Sequence, residues 1–128
     1  MTIELGCVTV DSADPRAVAG FWAEALGWGE VHHDAEHDIA ICGPPEGGVF
    51  LEFVRVPEPK GSKNRLHLGC HVDSLDDLEG EVDRLQGLGA TVAWEEEFPP
   101  GVAAVYRNIV LRDPEGNEFC LGAGTWPD

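Results

Sequence analysis

The chain is poor in positive charge. Its 128 residues carry eight Lys and Arg against 24 Asp and Glu, a formal net charge of −16 at pH 7. So acidic a surface repels phosphate backbones and anionic headgroups, which argues against nucleic acid and membrane as partners. Long apolar runs are missing as well. No window approaches the roughly 18 apolar residues of a membrane span, and Met1-Thr2-Ile3-Glu4-Leu5 has no basic flank ahead of an apolar stretch. Cysteine is sparse and dispersed: Cys7, Cys42, Cys70 and Cys120 form no Cys-x-x-Cys pair, which excludes a zinc ribbon and a thioredoxin-like site. They are expected to be reduced thiols of a cytoplasmic protein. No Ser-His-Asp, phosphate-loop or Gly-x-Gly-x-x-Gly arrangement occurs.

What is present is globular. Hydrophobic residues make up 43% and charged residues 25%, and the length suits one domain with a real core. Two amphipathic helices stand out. In the first, Asp14 caps, Pro15 takes the first helical position, and Val18, Phe21, Trp22, Ala25 and Leu26 make one apolar stripe before Gly27. In the second, Ser74 is the expected cap, and Leu75, Leu78, Val82, Leu85 and Leu88 form the stripe before Gly89. Asp76, Asp77, Glu79, Glu81 and Asp83 crowd its outer face. Strand-like patterns cover 5–10, 39–42, 49–56, 66–72, 91–95, 103–111 and 118–121, with turns at 43–48 and at Asp113-Pro114-Glu115-Gly116-Asn117.

The chain also repeats itself. Val10-Asp11-Ser12 returns 62 residues later as Val72-Asp73-Ser74, and Leu26-Gly27 as Leu88-Gly89. Pro45-Glu46-Gly47 with Phe50 returns 69 residues later as Pro114-Glu115-Gly116 with Phe119. The Pro- and Gly-containing stretch 58–64 reads as a linker between module one (1–57) and module two (65–124). The expected fold is α+β: two βαβββ modules forming a curved mixed sheet around a concave pocket.

This duplicated pattern resembles the vicinal oxygen chelate superfamily, which includes glyoxalase I, bleomycin-resistance proteins and extradiol dioxygenases. The phrases that carry the resemblance run along nearly the whole chain. They are Asp14-Pro15 with Phe21-Trp22 and Leu26-Gly27, Val56-Pro57-Glu58-Pro59-Lys60, Lys63-Asn64-Arg65-Leu66-His67-Leu68, and Asp113-Pro114-Glu115-Gly116-Asn117-Glu118-Phe119-Cys120. The resemblance implies a small-molecule pocket and a homodimer. It implies either a metal-dependent lyase or oxygenase, or a metal-free binding or resistance protein that sequesters its ligand.

Metal-dependent members take ligands from the first and last strands of each module. Carried onto this chain, those positions are Cys7, Glu52, His67 and Cys120, with Glu52 and His67 as the catalytic candidates. Two thiolates, an imidazole and a carboxylate suit zinc better than a hard oxygen-preferring ion. The alternative reading makes Cys7 and Cys120 small packed strand residues. Which face of 49–56 is turned to the pocket stays open, because the 69-residue echo aligns Cys120 with Leu51, on the opposite strand face from Glu52.

Trp28, Arg65, Trp94, Tyr106 and Arg107 are the candidate ligand-binding residues, while Trp22, on the helix stripe, belongs to the core. Tyr106 and Arg107 alternate, so only one of them faces the pocket. Arg55, Lys60, Lys63 and Arg65 place four of the eight basic residues within eleven positions, either an anion site or a solvated linker. His32-His33-Asp34-Ala35-Glu36-His37 matches no ligand spacing and reads as a polar turn.

Overall fold

The computed structural model describes residues 2–125. It divides between Lys60 and Gly61 into two compact units. The first contains β1 (Cys7–Ser12), α1 (Pro15–Leu26), β2 (His32–Asp34), β3 (Ile39–Cys42) and β4 (Phe50–Arg55). The second contains β5 (Leu68–His71), α2 (Leu75–Gly87), β6 (Thr91–Glu95), the short α3 (Pro100–Ala103), β7 (Tyr106–Arg112) and β8 (Glu118–Gly124). The class is α+β with a βαβββ module in each half. The strands make two four-stranded sheets, ordered β1-β4-β3-β2 and β5-β8-β7-β6. In each, the first strand lies parallel to the last and the remaining pairs are antiparallel. Parallel neighbours need a long crossover, and the helix lies within it.

Local chemistry explains the element ends. The Asp14 carboxylate accepts the Ala17 N–H at 3.3 Å, and Pro15 stands where a missing N–H costs nothing. Gly27, at φ +66°, turns the chain left-handed, and the Trp28 N–H reaches back to the Ala23 carbonyl at 2.9 Å. Ser74 sits at the start of α2 but behaves differently from the expected cap: its hydroxyl donates to the Asp77 carboxylate at 2.9 Å. The first strand begins at Cys7 and not at Leu5, because its ladder starts where Cys7 meets Phe50. β5 begins at Leu68 and not at Leu66. Just upstream, the Asn64 N–H donates to Glu118 Oε2 at 3.0 Å and its side-chain amide to Asn117 Oδ1 at 3.1 Å, tying that stretch to the last hairpin. The histidine stretch holds the short strand β2 as well as the expected turn.

Each unit has its own core. In the first, Val18, Phe21 and Trp22 of α1 pack over β3 and β4, which supply Ala40, Cys42, Leu51 and Phe53. Phe21 and Trp22 meet edge to face, 5.3 Å between ring centres. In the second, Leu78, Val82 and Leu85 of α2 meet a sheet face bearing Leu111, Phe119 and Leu121.

The two units correspond in strand register, and this answers the question of face. Counting from the helix starts at Pro15 and Leu75, Thr9 corresponds to Gly69. Thr9 pairs with Glu52, and Gly69 pairs with Cys120. The 69-residue echo holds for the turns and slips by one in the strand. Leu51 and Phe119 are the buried, helix-side residues, at 4% and 1% exposure, whereas Glu52 and Cys120 lie on the opposite faces.

The last hairpin turn is built around one carboxylate. Asp113 is buried, and its Oδ1 accepts the N–H groups of Glu115 at 2.9 Å and Asn117 at 3.0 Å. Its Oδ2 accepts the Asn117 side-chain amide at 3.0 Å. Gly116 supplies the positive φ of +87°. The expected outcome of Asp113→Ala is a loss of about 2–4 kcal/mol of stability, since several charge-assisted bonds go and buried donors are orphaned. Urea unfolding measures it.

Candidate functional site

Each sheet has one face under its helix and one turned away from it. In the first unit the second face carries Cys7 and Thr9 of β1 and Glu52 of β4, because Thr9 and Glu52 are paired and Cys7 lies two residues along the strand. The Thr9 hydroxyl donates to Glu52 Oε1 at 2.9 Å, and Cys7 Sγ lies 3.6 Å from Thr9 Oγ1. A hydroxyl has a single proton, and Thr9 has given it to an oxygen that only accepts. The Cys7 thiol is therefore the donor to Thr9, and the chain runs Cys7 to Thr9 to Glu52. A carboxylate held by one such bond keeps acceptor capacity on its remaining lone pairs.

The corresponding face of the second unit carries Gly69 of β5, Cys120 and Gly122 of β8, Asn108 and Tyr106 of β7, and Trp94 of β6. A Cβ at Gly69 would stand 3.4 Å from Cys120 Sγ, so the missing side chain leaves the thiol uncrowded on that side. The Tyr106 hydroxyl lies over Gly122, 2.6 Å from where a Cβ would sit. Tyr106 meets Phe98 edge to face at 5.6 Å. At the hairpin end of the face, Arg112 lies 5.9 Å over the Trp94 ring and 3.8 Å from the buried Glu118 carboxylate.

The structure sorts the remaining candidates. Arg107 lies on the helix side of its sheet, where its guanidinium donates to Glu95 at 2.6 Å and to Glu79 of α2 at 2.9 Å. Those two bonds raise its pKa further, and the residue braces α2 against the sheet. Of the Tyr106–Arg107 pair, Tyr106 takes the face shared with Cys120. Trp28 is half-buried directly behind the helix cap. His67 and Arg65 are exposed and precede β5, so strand alternation does not orient them. Trp126 lies outside the described residues. In the basic group Arg55 is already engaged, with Asp38 Oδ2 at 2.7 Å and the Ala13 carbonyl at 2.6 Å.

The histidine stretch is a hairpin closed by carboxylates. His33 Nε2 lies 2.8 Å from Asp38 Oδ1, and His37 Nδ1 lies 2.8 Å from Asp34 Oδ2. Hydrogen bonds from His33 and then Arg55 hold the Asp38 carboxyl below the usual range, and bonds from His37 do the same for Asp34. Asp38 itself has φ +51°, a left-handed position that aspartate tolerates.

Thr9, Asn108 and Arg112 are the neighbours that sequence reasoning passed over. The signal for each was strand alternation: Thr9 lies two residues from Cys7, and Asn108 two from Tyr106. Among the described residues no group of three or more His, Cys, Asp or Glu converges as a metal site. No chemical step is routed through a metal. No helix among the described residues is long and apolar enough to cross a membrane.

The profile of a family described as a glyoxalase-like domain matches residues 7–122. Several solved structures share the fold. One is a mutant of the fosfomycin resistance protein FosX from Listeria monocytogenes, complexed with Mn(II) and 1S,2S-dihydroxypropylphosphonic acid. It is 15% identical with a TM-score of 0.73, covering 98% of this chain and 92% of that one. Another is a glyoxalase/bleomycin resistance protein/dioxygenase family enzyme from Burkholderia phytofirmans, 18% identical, TM-score 0.71, covering 96% and 100%. A third is the oxidase ChaP-H2, 23% identical, TM-score 0.67, covering 100% and 98%. At these identities the likeness is one of fold. No curated protein matches the chain.

The thiols divide by burial. Burial pushes Cys42 up to about 11. It pushes Cys70 up to about 11 as well, with a smaller contribution from Cys120. At pH 8 about one in a thousand of either is thiolate. A disulfide reagent at that pH should react in a fast phase with Cys7 and Cys120, slowly with the partly exposed Cys70, and with the buried Cys42 only after denaturation. Cys7→Ser and Cys120→Ser should each remove one equivalent of the fast phase.

Proposed function

Because the chain belongs to the glyoxalase-like domain family, we propose that it is a small-molecule-binding protein whose ligand rests on a sheet face turned away from its helix. One observation carries this reading. The same ladder position in both units presents a chemically active group on that face, Glu52 opposite Thr9 and Cys120 opposite Gly69. On the first unit's face Glu52, fixed by Thr9, is the proposed hydrogen-bond acceptor, and on the second unit's face Trp94 and Tyr106 are the proposed aromatic surface. His67 and Arg65, exposed ahead of β5, are proposed as ligand contacts from the second unit. The proposed setting is the cytoplasm, where the four free cysteines stay reduced.

Of the two modes the family offers, sequestration without metal is the better supported. Soft thiols stand at Cys7 and Cys120, and no three donors converge among the described residues. The metal-dependent lyase or oxygenase reading draws on the Mn(II) held by the FosX structure. There a divalent ion would act as Lewis acid, with Glu52 and His67 as the catalytic groups.

Elemental analysis separates the two. Protein purified without added metal is expected to carry no stoichiometric zinc, manganese, iron or nickel. A full equivalent of zinc that disappears in Glu52→Ala and Cys120→Ser would replace the sequestration reading with the metal-dependent one. In thermal-shift titrations against a panel of small aromatic ligands, Glu52→Gln should weaken binding by about tenfold or more while its unliganded melting temperature stays unchanged.

A homodimer is proposed as the assembly. The family resemblance motivates it, and Ile3, Leu5 and Leu66, at 97%, 72% and 71% exposure, are the apolar side chains proposed to be covered. Light scattering should return about twice the 13.8 kDa of one chain. Leu5→Asp together with Leu66→Asp should shift the mass towards one chain.

A further inference from the structure

On the second unit's ligand-facing sheet, Asn108 holds an unusual position. Its side-chain Oδ1 is buried and has no hydrogen-bond partner in the described structure. It sits 3.3 Å from where a Cβ of Gly122 would stand, and the Tyr106 hydroxyl lies 2.6 Å from the same point. Asn108 and Gly122 are paired across β7 and β8, and Val110, the next β7 residue on this face, pairs with Cys120 and Trp94. The acceptor thus lies one row from Cys120 on the same face, between Tyr106 on its own strand and the row that holds Trp94, and His71 is the β5 partner of Gly122.

A buried carbonyl oxygen without a donor destabilises the fold, and native proteins seldom keep one without a use for it. Gly122 contributes to the arrangement. Any side chain there would meet the Tyr106 hydroxyl, so glycine leaves room for that hydroxyl beside Asn108. The terminal amide torsion of asparagine is soft, and Asn108 as a whole is only half-buried. For a ligand to reach the oxygen, that torsion has to turn and the Tyr106 hydroxyl has to move aside.

We propose that Asn108 Oδ1 is a specificity-determining acceptor, which selects small aromatic ligands carrying a hydroxyl or amine donor over the same ligands without one. The proposal rests on the small-molecule reading above and names the class of molecule this face prefers. The unpaired oxygen is the cost of the unliganded state, and a ligand donor removes it. An apolar analogue leaves it in place, which is the usual source of strong discrimination by a polar site.

The test uses Asn108→Leu, close in size and without the acceptor, and two probes, phenol and its methyl ether anisole. Backbone amide NMR signals of Cys120 and Gly122 report binding. In the wild-type protein phenol should bind at least about fivefold more tightly than anisole. In Asn108→Leu that preference should vanish, and the unliganded melting temperature should rise by about 3 °C. A fall in melting temperature would mean that the oxygen has a structural partner, and would overturn the proposal. Equal binding of phenol and anisole by the wild type would also overturn it, while leaving the small-molecule reading standing. If neither probe perturbs Cys120 or Gly122, the ligand-face reading fails and this inference fails with it. Asn108→Asp, which keeps acceptors at the same place, should retain the preference for phenol.

Discussion

The parallel pairing of each unit's first strand with its last is the constraint on which the rest depends. Parallel neighbours cannot be joined by a tight turn, so the chain must leave the first strand, cross over through a helix, and return through two antiparallel strands before the last one docks. That crossover places α1 over one face of its sheet and α2 over one face of the other. The opposite faces are left for chemistry. The same pairing decides which residues become neighbours there: Glu52 is 43 positions from Thr9 in the chain and directly beside it in the ladder.

Many of the charged groups in this acidic chain are committed to holding turns and joints. Asp113 organises the last hairpin, Asp34 and Asp38 close the histidine hairpin, and Glu79 and Glu95 share Arg107. Glu81 pairs with Arg84 one helical turn away. Exposed pairs of this kind contribute little individually. Their effect is geometric: Arg107 fastens α2 to the edge of its sheet, and Arg55 joins the end of β4 to the loop that leads into α1. A shortage of cations explains why so few remain for ligand recognition. Arg112, stacked on Trp94, is a cation on the side of the second sheet turned away from α2.

The two units are alike in plan and have diverged in chemistry. In the first, the ladder pair on the side away from the helix is a threonine and a carboxylate joined by a hydrogen bond. In the second it is a glycine and a thiol. One side is thus a hydrogen-bonding surface that accepts. The other is softer and more aromatic, with Trp94 and Cys120 on either side of Val110 in one row and Tyr106 further along β7.

Much of the fold was legible in the chain itself, because it is written in local periodicity. The caps at Asp14-Pro15 and Gly27, the two apolar stripes, and the Asp113-to-Asn117 turn are short-range signals, and each forms for the reason its residues suggest. The duplicated βαβββ order followed from those signals repeated. What the chain by itself left undecided was register. The 69-residue echo matched the turns and misplaced the strand by one, which in a structure of period two exchanges the faces. Only the tertiary ladder put Leu51 under the helix and Glu52 opposite Thr9. The same holds for Arg107, read as a ligand contact until α2 brought Glu79 to it, and for His67, one residue short of the strand that would have oriented it. Hydrogen-bond partners such as Thr9 for Glu52, and the absence of one for Asn108 Oδ1, depend on strands distant in sequence. Local propensity determines which element a residue joins, and long-range pairing determines which face it presents and to whom.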